Sequence, residues 1–402
     1  MLSIRLASHL LTPHVYTQVS DVVRHYGCMQ AQDIPQAMWV IWSRLIQTQD
    51  TDSDPDTNKH NNKNNQNNQS HSMGVTVQDV KNACATWEII RTRPMRGTLH
   101  YMAPENVHRM LDLCASKTLP GFAKRRAFLG ISDKHADRAL EIMDSALRGG
   151  KSLTRSVLGE TLRAGDIPMQ TQRVYHLACY AATRKLICFW PPTDKEETFV
   201  LLDERIKQPS QKLQNLTRDE QLAKLATMYI RSHGPVTVDD LARWTGLSKG
   251  DCKQAFALVA EQCETIEQDG KTYYYMHATH TTDTITTPAS KTTRSPKIPT
   301  SSALRLLGGF DEYFIGYKDR SPVADTQHHG KLFTQNGIFF PLLLLDGTVV
   351  GTWKRTRIKT TKKNAVSIAV QPLPGISLSH DKIMQEAQRY AEFRGVGEVL
   401  YG

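Results

Sequence analysis

The stretch "GPVTVDDLARWTGLSKGDCKQAFALV", residues 234–259, decides the fold. Thr237 stands three residues before Asp240, a capping-box-like helix start with Asp at the third helical position. Leu241-Ala242-Arg243-Trp244 carries that helix toward Gly246, a residue suited to a tight turn. A second helix runs from Lys249 to Val259. Thr265 to Tyr275 then reads as two strands around an Asp269-Gly270 turn. Helix, turn, helix and hairpin in that order form the winged-helix pattern.

The unit recurs. Val75-Thr76-Val77-Gln78-Asp79-Val80 opens one copy, and Ser152-Leu153-Thr154-Arg155-Ser156-Val157-Leu158 opens a looser one. In the middle copy, Arg173 to Ala182 suits the second helix, with wing strands over Leu186–Trp190 and Thr198–Leu202. In the first copy a short helix, Val80 to Ala85, precedes a wing of Trp87–Thr92 against Gly97–Met102, joined through Arg93-Pro94-Met95-Arg96. A winged helix either docks in a DNA groove or serves as scaffold and protein contact, and one copy alone does not decide between them.

Two low-complexity segments interrupt the chain. Residues 48–72 contain "HNNKNNQNNQSHS", with almost nothing apolar to bury, and read as a disordered insertion. Residues 278–302, rich in Thr and Ser, read as a flexible loop. The resulting divisions are 1–150 (N-terminal helices and first winged helix), 151–215 (second), 216–277 (third) and 303–402 (a β-rich unit). In the last, "FDEYFIGYKDR" (310–320) reads as a strand in which Asp319 and Arg320 can pair. Gly337 to Leu345 and Val349 to Arg355 form a hairpin around Asp346-Gly347, and Asp381 to Phe393 a closing helix.

Lys and Arg number 50 against 40 Asp and Glu, a formal charge of +10. That balance points to a polyanionic partner, nucleic acid or an acidic membrane surface. Seven cysteines include no C-x-x-C pair, so neither a structural zinc site nor any other metal is expected. Their odd number, with no signal peptide, points to reduced thiols and a cytoplasmic setting. No apolar run approaches the roughly 20 residues that span a bilayer, so no membrane role is expected. The run Phe339 to Leu345 fits a buried strand.

Near the N-terminus, "CMQAQDIP" (28–35) lies between two helical patterns. The first starts at Thr12-Pro13, presents Val15, Val19, Val22, Val23 and Tyr26 on one face, and stops at Gly27. The second runs from about Pro35 to Ile46. Asp33, three residues before Gln36, reads as its cap. In a helix, residues two apart point away from each other; in an extended segment they point the same way. Gln30 and Gln32 can therefore share one site if the connection is extended. Equally, both can cap helices or face solvent.

Several stretches together resemble the winged-helix DNA-binding family that includes the AlkZ and YcaQ DNA glycosylases. They are "MQAQDIPQAMW" (29–39), "RPMRGTLHYMAPE" (93–105), "LLDER" (201–205), "GPVTVDDLARWTG" (234–246), "GGFDEYFIGYKDRS" (308–321) and "NGIFFPLLLLDGTVVGTWKR" (336–355). Outside the low-complexity segments the resemblance covers essentially the whole chain. The family motif, Gln-x-Gln in one branch and Gln-x-Asp in the other, falls on Gln30 and Gln32. The resemblance thus implies the AlkZ-like branch, whose known members hydrolyse bulky N7-alkylguanine adducts and unhook interstrand crosslinks.

The chemistry agrees. Alkylation at the ring nitrogen makes guanine a cationic leaving group that departs neutral without a general acid. What remains is to place a water at the anomeric carbon and stabilise an oxocarbenium-like state. Glutamine carbonyls can do both, and Asp33, pointing the other way in an extended segment, ranks third. Candidate DNA contacts are Arg93, Arg96 and His100 of the first wing; Tyr313, Lys318 and Arg320; and Lys354, Arg355 and Arg357. Phosphate contacts of this kind are salt-dependent and sequence-tolerant.

The overall expectation is an α+β chain: three tandem winged helices and a β-rich unit in one C-shaped DNA-binding architecture. It would be a monomeric, monofunctional glycosylase of double-stranded DNA at the bacterial nucleoid. No cofactor is implied. The alternative is a non-catalytic winged-helix regulator, which has no need to aim two glutamines into a groove.

Overall fold

The structure, a computed structural model, describes residues 1–12, 15–45, 75–169, 171–193, 196–206, 215–276, 303–356 and 365–401. Both low-complexity segments and Arg357 lie outside the described residues. At the N-terminus α1 (Leu2–Ser8) precedes α2 (Val19–Tyr26), which is shorter than the helix expected from Thr12. It starts after an extended Gln18 and ends at Gly27, whose φ is +69°. Then come β1 (Met29–Gln30) and α3 (Ile34–Trp42). The latter stops short of Ile46 because Ser43 Oγ and Arg44 Nη1 both donate to the Val40 carbonyl, 3.1 and 2.8 Å away, and close the last turn.

The first repeat holds α4 (Val77–Ala85), β2 (Ile90–Met95) and β3 (Thr98–Met102). Thr76 and Asp79 complete the capping box of α4. Arg93 sits inside β2 rather than in the turn, which narrows to Arg96 and Gly97 with φ +51° and +72°. Positive φ at both central residues follows the twist of the strands. After α5 (Pro104–Cys114), α6 (Leu119–Phe128) and α7 (Asp133–Leu147) comes the middle repeat. It comprises β4 (Leu153–Thr154), α8 (Arg155–Ala164), α9 (Thr171–Thr183), β5 (Ile187–Thr193) and β6 (Glu196–Leu201). The first two wings are not separate. They fuse into one six-stranded sheet of order β1-β3-β2-β5-β6-β4, joined where Arg91 faces Phe189.

The third repeat follows its sequence closely: α10 (Arg218–His233), α11 (Val238–Thr245), α12 (Lys249–Ala257), then β7 (Glu264–Gln268) and β8 (Lys271–Tyr275) as a two-stranded sheet. Thr237 and Asp240 form the capping box, and Gly246 ends α11 in the left-handed region.

Beyond it lie β9 (Leu304–Leu307), α13 (Glu312–Ile315), α14 (His329–Leu332), β10 (Leu342–Leu345), β11 (Thr348–Thr356), β12 (Ala365–Pro372), α15 (His380–Arg394) and β13 (Glu398–Tyr401). The five strands run in the order β13-β12-β11-β10-β9, all antiparallel neighbours except the parallel β12–β13 pair. The strand expected over residues 310–320 is instead the short helix α13. Asp311 caps it, accepting from Tyr313 N at 2.9 Å. Nor do Asp319 and Arg320 pair: Asp319 binds Lys271, and Arg320 Nε donates to Phe314 O. The hairpin strand begins at Leu342 rather than Gly337, after Pro341, which has no N–H for a ladder.

One core draws on both ends of the chain. Trp39 stacks on Trp42 at 5.2 Å and meets Tyr390 edge-on at 5.0 Å, while Trp353 meets Tyr390 from the sheet side. Gly308 lets the C-terminal unit approach α3: a Cβ there would meet Val40 Cγ2 at 2.5 Å and Gln36 O at 3.0 Å.

Candidate active site

The Gln-bearing segment is extended, as its alternation requires. Met29 pairs with Tyr101 and Gln30 with His100 along β3, and Ala31 N donates to Leu99 O at 2.7 Å. Cys28, Met29 and Ala31 point into the core, whereas Gln30 is half-buried and Gln32 exposed. Gln30 shares a face of the sheet with its buried partner His100, and Gln32 lies just past the end of the edge strand. Gln32 Oε1 accepts from Leu99 N at 2.8 Å, so the side chain extends the ladder past the end of the strand. One lone pair of that carbonyl stays available. Asp33 is the N-cap of α3, accepting from Gln36 N at 3.1 Å. Gln36 does not complete a capping box; its Oε1 accepts from Gly309 N at 3.0 Å.

Two charges flank Gln30. Arg96 Nη2 donates to Gln30 Oε1 over a long 3.5 Å, and its Nη1 reaches Arg243 O of α11 at the same distance. Burial, then the Arg243 charge, lowers the basicity of Arg96, while Glu312 opposes both. On the backbone side, Gln30 N donates to Glu312 Oε1 at 2.9 Å. Glu312 is 1% exposed. Its Oε2 accepts from Trp244 Nε1 at 3.0 Å and lies 3.5 Å from His233 Nε2. Burial works against the ionised form, but the hydrogen bond of His233 and the charge of Arg96 outweigh it and hold the carboxyl below the usual range. Burial lowers the basicity of His233 despite Glu312.

Neighbouring Asp311 forms a fully buried pair with Arg44, Nη2 to Oδ1 2.6 Å, and Arg44 Nε donates to Tyr26 Oη at 2.7 Å. Consecutive carboxylates thus tie α13 to the end of α3 and to the Gln strand. Sequence reading passed over Asp311 and Glu312 in favour of the tyrosines and basic residues beside them. The missed signal is two adjacent acids inside an apolar stretch, since buried charges are kept only when partnered. Arg243, whose charge reaches both Arg96 and Arg320, was also missed.

The remaining candidates scatter. His100 is fully buried, its Nδ1 on Thr98 O at 3.0 Å, and burial with Arg96 pushes it down to about 3. Tyr313 is fully buried and its hydroxyl donates to Gly347 O at 2.7 Å. Neither side chain can meet DNA without opening the core, which corrects both expectations. Arg93 donates to Gly97 O within its own hairpin. Lys318 is exposed and pairs with Asp239 at the start of α11, 2.6 Å away. Arg320 stands 5.2 Å over Phe339, and burial with the Arg243 and Arg96 charges lowers it to about 10. Lys354 and Arg355 are exposed on β11, and Tyr390 feels Arg355, Arg394 and Asp33 together. Arg96 is therefore the candidate cation that meets Gln30, and its charge is felt in turn by Arg320.

Among the described residues, no group of three or more His, Cys, Asp or Glu could hold a metal ion, and no helix is long and apolar enough to cross a membrane. The arrangement offers a half-buried Gln30 carbonyl met by Arg96 and backed by a buried carboxylate, with an exposed Gln32 amide two residues on. It can hold a water and oppose developing positive charge.

Comparison with known proteins gives concordant results. A family model described as "DNA glycosylase AlkZ-like" matches residues 70–393. The interstrand DNA cross-link repair glycosylase of Streptomyces sahachiroi is 24% identical over 290 residues, which is 69% of this chain and 73% of that protein. The solved structure of Streptomyces sahachiroi DNA glycosylase AlkZ shares the fold, with a TM-score of 0.71 at 21% identity, covering 100% of this chain and 98% of that one. The family match begins beyond Gln30 and Gln32.

Proposed function

The chain belongs to the AlkZ-like DNA glycosylase family, and on that premise we propose that it is a monofunctional glycosylase that hydrolyses the N-glycosidic bond of N7-alkylguanine in double-stranded DNA. The name of the Streptomyces relative extends the proposal to the unhooking of interstrand crosslinks. The three helix–hairpin repeats act as winged helices in one concave DNA-binding monomer at the nucleoid. Arg96, Arg320, Lys318, Lys354 and Arg355 meet phosphates.

The observation that supports the reading is the extended segment that sets Gln30, half-buried, and Gln32, exposed, against neighbouring residues of β3, His100 and Leu99. Their carbonyl oxygens hold a water at the anomeric carbon. As its oxygen bonds to that carbon, the electron pair of the glycosidic bond passes to the alkylated ring, which leaves uncharged, and the proton that the bound water sheds passes to solvent. The carbonyl lone pairs face the charge that builds on the sugar. An amide is too weak a base to ionise water, so labile, pre-charged bases are the substrates. A bulky adduct need not be flipped into a snug pocket.

The test is release of free base from DNA carrying N7-methylguanine, and unhooking of a nitrogen-mustard crosslink. Gln30→Ala and Gln32→Ala are each expected to lower release at least tenfold. Equal, background-level release from wild type and both variants refutes the enzyme; binding without release favours the regulator.

A further inference from the structure

A cavity of about 730 Å³ lies among the Arg96 turn, α6, α8 and α9. Five of its lining side chains are cations (Arg93, Arg96, Lys117, Arg125 and Arg155), and among the described residues lining it none is Asp or Glu. Two rings complete the wall. Arg93 stands 5.9 Å over Phe122, and Arg155 stands 5.3 Å over Tyr175. His176, 8% exposed, lines the same space, and its Nε2 is buried without a hydrogen-bond partner. Burial, then the charges of Arg126, Arg125 and Arg93, lowers it to about 4, so at neutral pH the imidazole is uncharged. The Nε of Arg93 is buried and unpartnered too. Orphaned polar atoms of this kind are costly, about 1–3 kcal/mol each, unless a ligand or water answers them.

The lining selects the ligand. An acidic peptide would answer the cations but leave the rings unused. A plain hydrocarbon would cover the rings but meet none of the positive charge. A flat heteroaromatic ring joined to a phosphate answers both, since bases stack on aromatic side chains and on guanidinium planes. The volume falls in the range of small-molecule sites.

We propose that this cavity binds a nucleoside monophosphate unit, its base against Phe122 and Tyr175 beside His176 and its phosphate on Arg93, Arg125 and Arg155. The unit is either an unstacked nucleotide of a DNA strand or a free nucleotide. Only the first source rests on the glycosylase reading.

The experiment titrates the full chain with dGMP, with deoxyguanosine and with inorganic phosphate by calorimetry at low salt. dGMP is expected to bind at least tenfold more tightly than either single-feature probe. Arg125→Gln, at an exposed position, and His176→Phe are each expected to weaken it at least fivefold; should the buried change impair folding, Arg125→Gln decides. Equal affinity for dGMP and phosphate, or wild-type affinity in the decisive variant, overturns the proposal. Adding undamaged duplex separates the sources: displacement of dGMP assigns the cavity to a strand nucleotide, and continued binding assigns it to a free one. No titration uses a lesion, so an enzyme that fails to release damaged base leaves these results standing.

Discussion

Replacing Glu312 by glutamine keeps the shape of the side chain and removes its charge. The carboxylate gives one oxygen to Gln30 N and the other to Trp244 Nε1, at 2.9 and 3.0 Å. An amide has one accepting oxygen and one donating nitrogen. Whichever way it turns, one of those two buried N–H groups faces another donor. A buried donor left unsatisfied costs about 1–3 kcal/mol, and the lost charge assistance adds on the order of 1 kcal/mol. Relief from burying a charge offsets part of this. The expected net loss is about 2 kcal/mol, read as a lower urea midpoint with unchanged slope. If the amide turns its nitrogen toward Gln30, β1 shifts and the water site with it. Single-turnover base release, measured where the variant is still fully folded, should then fall at least tenfold, which is about 1.4 kcal/mol of barrier. A variant with wild-type midpoint and wild-type release would refute the assignment of Glu312 as the residue that positions Gln30.

Acid should unfold the protein early. His9, His25, His100 and His233 are buried with lowered basicity, burial being the largest cause in each, and His25 and His100 fall to about 3. Below pH 6.5 the unfolded chain binds protons that the native state refuses, so stability falls with pH. Each group still neutral in the native state removes up to about 1.4 kcal/mol per pH unit, so His25 and His100 alone remove about 3 per unit, against a total stability of about 5–15 kcal/mol. Urea midpoints should drop steeply between pH 6.5 and 5; midpoints flat over that interval would contradict the buried neutral histidines. Asp33→Ala, which removes the cap of α3, should lower stability by about 1 kcal/mol and leave base release by the folded protein within threefold. Abolished release with intact folding would instead make Asp33 catalytic.

What the sequence made legible is what local spacing encodes. Thr237, Asp240, Gly246 and the Asp269-Gly270 turn lie within one repeat, and that repeat folds as its pattern predicts. That Gln30 and Gln32 sit in an extended connection between two helices was legible for the same reason. The fusion of two wings at Arg91 and Phe189 was not, since hairpin patterns do not specify which edges meet. Glu312 was hidden more deeply: its partner Gln30 lies 282 residues away, and the partner of Asp311 lies 267 away. Tyr313 misled because an aromatic beside basic residues looks like a nucleic-acid stripe. Its burial is fixed by Gly347, on a turn that closes only once the sheet has formed.

An arginine beside Gln30 is the wrong neighbour for the proposed reaction, whose substrate is cationic, until Glu312 is counted. Arg96 meets the side-chain carbonyl of Gln30 from one side, and Glu312 holds its backbone N–H from the other. The two charges largely cancel at a distance, so the site need not repel a cationic base. Close by they do not cancel, and in a low-dielectric interior the field of the carboxylate is weakly screened. During hydrolysis positive charge moves from the ring to the sugar. A fixed negative charge accelerates that step only to the extent that it favours the second position over the first. Glu312 meets the Gln30 backbone, not the outward face, so its direct field would act on both positions nearly alike. Its larger contribution is therefore to hold the strand that aims the carbonyl, while Arg96 remains free to draw a phosphate toward the same residue.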